Sequence, residues 1–455
     1  MVKFSGVAAL KRCIMLVALS AGAGCAHSTA IPTQSPEEHI VDPNRVDPGV
    51  TAMFSRALSG LLDADRRQEF DAVTCQKLEQ QFLHASQRLE ATTGSPLAVA
   101  LYNAGVVAQR CGHNERAKAL YKRAARASSD LFAAKVRVTL ADFEQTGDID
   151  AAIQSLESVV RASEFQLLDG LVALAALELR RKSARGWIGC SSDVDCARLN
   201  LQRVLAIDAE HLPALNQLTL YYLENARQAA SPWRRSTVLF DEPLSQGNQQ
   251  QLDLASLVAS QALRKNPDYA PLHNTTGLVL VELGDFTEAS RHFSKARQLA
   301  PDFYEAHMNY AALNLAFRGF KEAEVAYKDA LRLIPKSYEA HLGLALALRS
   351  QIPSRADAAL AEKRQQLIQR VDQLLRDAAR LEPQRSEAYY NRAVLLSDFS
   401  AAEGNTAAYD QAEDLLKQFI RRAASTRELA AAVERAKQRV EDIQAIRVAM
   451  QPAVQ

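Results

Sequence analysis

The sequence predicts an all-α superhelical solenoid of about eight helix-turn-helix repeats, several carrying insertions, closed by N- and C-terminal capping helices. Three observations predict it. Residues 270–337 read twice when shifted by 34 positions, APLHNTTGLVLVELGDFTEASRHFSKARQLAPDF and then YEAHMNYAALNLAFRGFKEAEVAYKDALRLIPKS. Pro267, Pro301 and Pro335 keep that spacing, and so do the alanine triplets Ala255, Ala289, Ala323 and Ala262, Ala296, Ala330. Hydrophobic residues make up 48% of the 455-residue chain and aromatics only 6%, a balance that suits Ala/Leu-rich helices better than a β-sandwich.

Small residues at set positions mark places where two helices approach too closely for a larger side chain. A proline after them ends the second helix, because it has no N–H to donate and clashes with the preceding turn. Period, alanines and proline together resemble the tetratricopeptide repeat (TPR), over most of residues 98–424. The formal net charge of +1 implies no bulk attraction to nucleic acid or to an acidic membrane.

The chain opens with Lys3, Lys11 and Arg12, then the apolar run Cys13–Ala21, then Gly22-Ala23-Gly24-Cys25. Residues 1–24 read as an export signal, and small residues directly before Cys25 resemble a bacterial lipobox whose cysteine receives the lipid. Gly22 stands where lipoboxes usually carry Leu. Cleavage after Ala23 or Ala30, leaving a soluble periplasmic protein, is the alternative. A transmembrane anchor fails on length. Ala26 is not the Asp that marks inner-membrane retention, so a lipid anchor on the periplasmic side of the outer membrane is expected. Residues 25–48 hold Pro32, Pro36, Pro43 and Pro48 without helical period. They read as a tether reaching on the order of 80 Å when stretched, at about 3.4 Å per residue.

Helical patterning begins near Val50 and continues over Asp71–Leu89, so residues 49–97 read as capping helices. The first clear repeat is 98–131, with Gly105, Gly112, Ala117, Tyr121 and Ala124 at repeat positions 8, 15, 20, 24 and 27. The second, 133–166, keeps Gly147, Ala152 and Leu156. The third, fourth and seventh carry insertions between their two helices, around 182–195, 228–249 and 352–365. The eighth starts at EAYYNRAVLL. Residues 425–455 read as a last helix and tail, with Ser425 and Glu428 as a capping box.

Four cysteines, Cys75, Cys111, Cys190 and Cys196, follow Cys25. An even number in an exported chain reads as disulfides rather than a metal or catalytic site. A bridge between Cys190 and Cys196 would close a short loop, and Cys75 with Cys111 would then join an entry helix to the first repeat. His273, His307 and His341 also repeat at 34 residues. Equivalent atoms of neighbouring repeats lie about 10 Å apart, too far for one ion at metal–nitrogen distances of about 2 Å, so these histidines read as packing residues.

No sequence motif for catalysis or nucleotide binding occurs, and no cofactor, metal, nucleic acid or small-molecule substrate is expected. The TPR resemblance implies that the first helix of each repeat lines a concave groove. Carried over position by position, that gives Tyr102, Val106, Asn274, Leu278, Met308, Ala312, Leu342, Leu346, Tyr390 and Val394. The lining is mostly apolar and lacks most of the basic positions of the chaperone-type carboxylate clamp. It suits an amphipathic or extended segment of a partner, or the protein's own last helix. Both tryptophans, Trp187 and Trp233, lie in insertions. Trp233 with Arg234, Arg235 and Phe240 forms a candidate partner-binding edge loop, and gap-filling by the same tryptophans is the alternative.

The segment CSSDVDCARLNLQRVLAIDAEHLPALNQLTLYYL, behind an export signal and a lipobox-like Cys25, resembles the TPR lipoproteins of the myxobacterial adventurous gliding-motility machinery. That resemblance implies a non-catalytic scaffold among the envelope proteins of a trans-envelope complex. The alternative is a pilotin-like lipoprotein chaperone for a secretin or pilus.

Overall fold

The computed structural model describes residues 46–67, 69–184, 186, 189–228, 246–354, 358–401, 407–426 and 429–450. Among them are nineteen α-helices and no strand. The helices divide between two compact units. The N-terminal one holds residues 46–222 and 257–265, and the C-terminal one holds 223–256 and 266–450.

The N-terminal unit begins with α1 (Pro48–Arg67) and α2 (Ala72–Thr93). Val50, Phe54, Ala57, Leu61 and Ala64 recur every three or four residues and are buried, with Phe54 edge-on to Phe82 of α2 at 5.8 Å. Asp71 caps α2 by accepting from the Thr74 N–H at 2.8 Å, satisfying a donor that the helix itself cannot. Three antiparallel pairs follow. They are α3 (Ala98–Arg110) with α4 (Asn114–Ala127), α5 (Phe132–Thr146) with α6 (Ile149–Ala162), and α7 (Leu168–Arg181) with α8 (Asp193–Ile207). Next come α9 (Leu212–Gln228) and α10 (Gln246–Lys265), each contributing residues to both units.

The C-terminal unit contains the pairs α11 (Ala270–Leu283) and α12 (Phe286–Leu299), α13 (Tyr304–Ala316) and α14 (Phe320–Leu333), and α15 (Tyr338–Arg349) and α16 (Ala361–Leu381). They are followed by α17 (Glu387–Leu395), α18 (Ala407–Ala423) and a terminal α19 (Ala430–Met450). Ala255, Ala262, Ala289, Ala296, Ala323 and Ala330 are all fully buried. Lys265, Leu299, Leu333 and Leu381 end their helices two residues before Pro267, Pro301, Pro335 and Pro383, so each proline stands where its missing N–H costs nothing. The fold is therefore an all-α array of TPR helix pairs.

Two features depart from the simple repeat. A π-helical turn, Leu396–Ser400, follows α17, closed by the Ala401 N–H on the Leu396 carbonyl at 2.9 Å. It offers Ser397 and Asp398 to Arg439 of α19, whose guanidinium donates to the Ser397 hydroxyl at 3.1 and 3.2 Å and pairs with the Asp398 carboxylate. The terminal helix is further tied to α18, where Glu413 accepts from Gln444 and Arg447 at 2.8 and 2.9 Å. The capping-box residue Glu428 lies outside the described residues.

Both cysteine pairs form disulfides. Cys75 of α2 joins Cys111, just past α3, with Cα atoms 6.1 Å apart, and Cys190 joins Cys196 at 5.1 Å. The second bridge closes the insertion of the third repeat together with an ion pair. Arg181 at the end of α7 grips Asp193 at the start of α8 with two parallel bonds of 2.7 and 2.8 Å, and the Ser183 N–H adds a third at 2.7 Å.

Candidate protein-interaction surface

The residues expected to line a groove divide sharply by burial. In the N-terminal unit Tyr102 and Val106 are 1% and 0% exposed, so neither offers a surface to a partner. The reason lies in what surrounds them. The Tyr102 ring stacks at a tilt on Tyr121 with centroids 5.5 Å apart, and its hydroxyl is bound to the guanidinium of Arg137 on α5. Arg137 is itself buried and lies 3.6 Å from Asp169 of α7. Burial works against the charge of Arg137, but Tyr102, Tyr121 and Asp169 more than offset it, leaving its pKa raised. Polar atoms at these inner positions thus satisfy one another.

In the C-terminal unit Asn274, Leu278, Met308 and Ala312 are likewise buried. Asn274 accepts from the Asn309 side chain of α13 at 2.9 Å and is consumed in a contact between helices. These four, with Tyr102 and Val106, are core residues rather than groove residues. Leu342 and Leu346 of α15 and Tyr390 and Val394 of α17 differ, because each keeps part of its side chain in solvent. Tyr390 rests against Phe419 with ring centroids 5.0 Å apart.

Two polar residues that the groove positions did not single out complete this surface. Arg349, half-buried at the end of α15, donates to the Asn391 side chain of α17 at 3.0 Å. Among the described residues no carboxylate pairs with it. Burial lowers the pKa of Arg349, the Tyr390 hydroxyl opposes that, and nearby Arg439 lowers it further. A guanidinium left without its counter-ion beside apolar side chains is a ready receptor for a carboxylate. A sequence signal existed, since Arg349 falls seven residues after Leu342 and three after Leu346, on one face of the helix.

The repeating histidines serve a polar purpose as well as packing. A carbonyl can only accept, so the ring nitrogen facing it must carry hydrogen. Nε2 of His273 donates to the Pro267 carbonyl at 2.8 Å and Nε2 of His307 to the Pro301 carbonyl at 2.9 Å. The hydroxyl of Tyr389 makes the equivalent bond to the Pro383 carbonyl at 3.1 Å. Each ring ties the start of one helix pair to the turn after the previous pair. His341 departs from the pattern, with Nδ1 donating to the Ser337 carbonyl at 2.7 Å.

Cys25 and the edge-loop residues Trp233, Arg234, Arg235 and Phe240 lie outside the described residues, as does Trp187. No helix among the described residues is long and apolar enough to cross a membrane.

No known family profile matches the chain. No curated protein matches it either. Among solved structures it is similar to a thermophilic TPR protein of Thermus thermophilus, 27% identical, covering 47% of this chain and 97% of that one with a TM-score of 0.38. PilF of Pseudomonas aeruginosa is 18% identical, over 61% of this chain and 96% of that one, with a TM-score of 0.41. A TPR protein from Parabacteroides merdae is 14% identical, over 70% of this chain and all of that one, with a TM-score of 0.36.

Proposed function

We propose that this chain is a non-catalytic scaffold that binds another protein on the α15–α17 face of its C-terminal unit. The observation that carries the proposal is that face itself. Leu342, Leu346, Tyr390 and Val394 are partly exposed there, beside an Arg349 guanidinium with no carboxylate partner among the described residues. Apolar side chains around one unneutralised cation fit a helical or extended segment that presents apolar residues and an acidic one.

The scaffold is exported and held by lipid on Cys25 at the periplasmic side of the outer membrane, as one of the envelope proteins of a trans-envelope complex of the gliding-motility kind. Supporting this are the signal-like residues 1–24, the proline-rich tether and the two disulfides, which are characteristic of oxidising compartments.

The test is a crosslinked pull-down from native envelope, run beside Cys25→Ala and Leu346→Asp with Arg349→Ala. Stable co-purification of outer-membrane and periplasmic proteins, reduced at least tenfold by the paired face substitutions and lost with Cys25→Ala, is expected. A pull-down unchanged by the face substitutions removes that face as the interface, and one unchanged by Cys25→Ala removes the anchor. Recovery of newly exported subunits alone turns the scaffold into an assembly chaperone.

A further inference from the structure

Within the C-terminal unit, His273 of α11 meets His292 of the antiparallel α12. Their Nδ1 atoms are 3.0 Å apart and their ring planes are inclined by 38°. They stand 19 residues apart and share no spacing motif, so only the pairing of the two helices brings them together.

The protonation pattern is constrained. Nε2 of His273 carries hydrogen because it donates to the Pro267 carbonyl at 2.8 Å. Its Nδ1 in the neutral ring therefore carries a lone pair, 3.0 Å from Nδ1 of His292. A ring nitrogen freed for coordination while its other nitrogen donates to a backbone carbonyl is the arrangement that orients metal-ligating histidines.

We propose that His273 Nδ1 and His292 Nδ1 form a two-histidine site for a divalent transition-metal ion, with Cu(II) the preferred one. A metal–nitrogen distance of about 2.05 Å and the observed nitrogen separation put the N–metal–N angle at about 94°. That is close to the cis angle of a tetragonal site. A tetrahedral ion would need the nitrogens about 3.3 Å apart. Tetragonal nitrogen coordination and the top of the divalent affinity order both select Cu(II).

In the ion-free chain, His292 donates its Nδ1 hydrogen across the gap. When the ion enters, His292 changes tautomer and its hydrogen moves to Nε2, so two neutral ligands bind with no net proton release. Burial lowers the pKa of both rings. The charges around the pair nearly balance. Asp268 is 3.4 Å from Lys295, and Glu288 pairs with Arg291. Among the described residues no third ligating side chain joins the pair, so water fills the remaining positions and binding is weaker than at a structural site.

The experiment is titration of the purified full chain with Cu(II), followed by electron paramagnetic resonance and by calorimetry. The expected result is one Cu(II) per chain with hyperfine coupling to two nitrogens. His292→Gln should lose that coupling and bind at least tenfold more weakly, while His341→Gln should bind as the wild type does. Absence of a two-nitrogen species in the wild-type chain overturns the proposal whatever the variants do. So does a spectrum and affinity unchanged in His292→Gln.

Discussion

Gly277 on α11 faces the ring of Phe293 on α12 so closely that a Cβ at this glycine would stand 2.5 Å from the ring carbon Cε1. Gly105 stands in the same relation to Tyr121, at 2.6 Å. The missing side chain is what lets the aromatic ring lie flat between the two helices of the pair. Phe293 is fully buried and has nowhere to retreat. Gly277→Ala should therefore destabilise by about 1–3 kcal/mol, although alanine is the better helix former by about 1 kcal/mol. Chemical unfolding followed by circular dichroism measures it. A neutral or stabilising result would show that the ring can shift aside.

The disulfide between Cys75 and Cys111 closes a span of 36 residues, for which chain entropy gives a stabilisation of about 4 kcal/mol. The Cys190–Cys196 bridge closes only 6, giving about 2 kcal/mol. Reductant should accordingly lower the melting temperature of Cys190→Ser/Cys196→Ser more than that of Cys75→Ser/Cys111→Ser. The opposite ranking would locate the stability of the N-terminal unit in the third-repeat insertion.

Asp193 is 1% exposed and receives two bonds from Arg181 and one from the Ser183 N–H. Asp193→Ala strips the buried one of two carboxylate partners from the Arg181 guanidinium at the base of the insertion and should cost about 2–4 kcal/mol. Asp150 touches the same arginine from an exposed position, and Asp150→Ala should cost under about 1 kcal/mol. Equal losses in urea unfolding would contradict this difference.

Glu178 is buried on α7. Burial pushes its pKa up to about 8, the Asn200 side chain pulls it back, and the charges of Asp193 and Glu157 push it further up. The unfolded carboxyl titrates near 4.5. The folded chain therefore retains a proton that the unfolded chain has lost, and stability falls as pH rises from 4.5 through about 8. Glu178→Gln should melt like the wild type at the acid end of that window and above it at the alkaline end. The slope removed is at most about 1.4 kcal/mol per pH unit. Parallel profiles of melting temperature against pH would show that Glu178 ionises normally.

The sequence by itself determined the repeat. Period, alanines and prolines are local requirements of a helix pair, and the places of Ala289, Ala296 and Pro301 follow from the sequence alone. Cysteine number and spacing likewise pointed to bridges within the chain, because a bridge across SSDVD needs only one short loop to close. Only the tertiary structure decided which inner positions reach solvent. Tyr102 and Tyr390 occupy the same position of their repeats, yet one is sealed by Arg137 from the next pair and the other is partly exposed. The same holds for His273 and His292, and for Arg349 and Asn391. Such pairs are set by how one helix packs against another, and side chains on different helices carry no common period by which a sequence could bring them together.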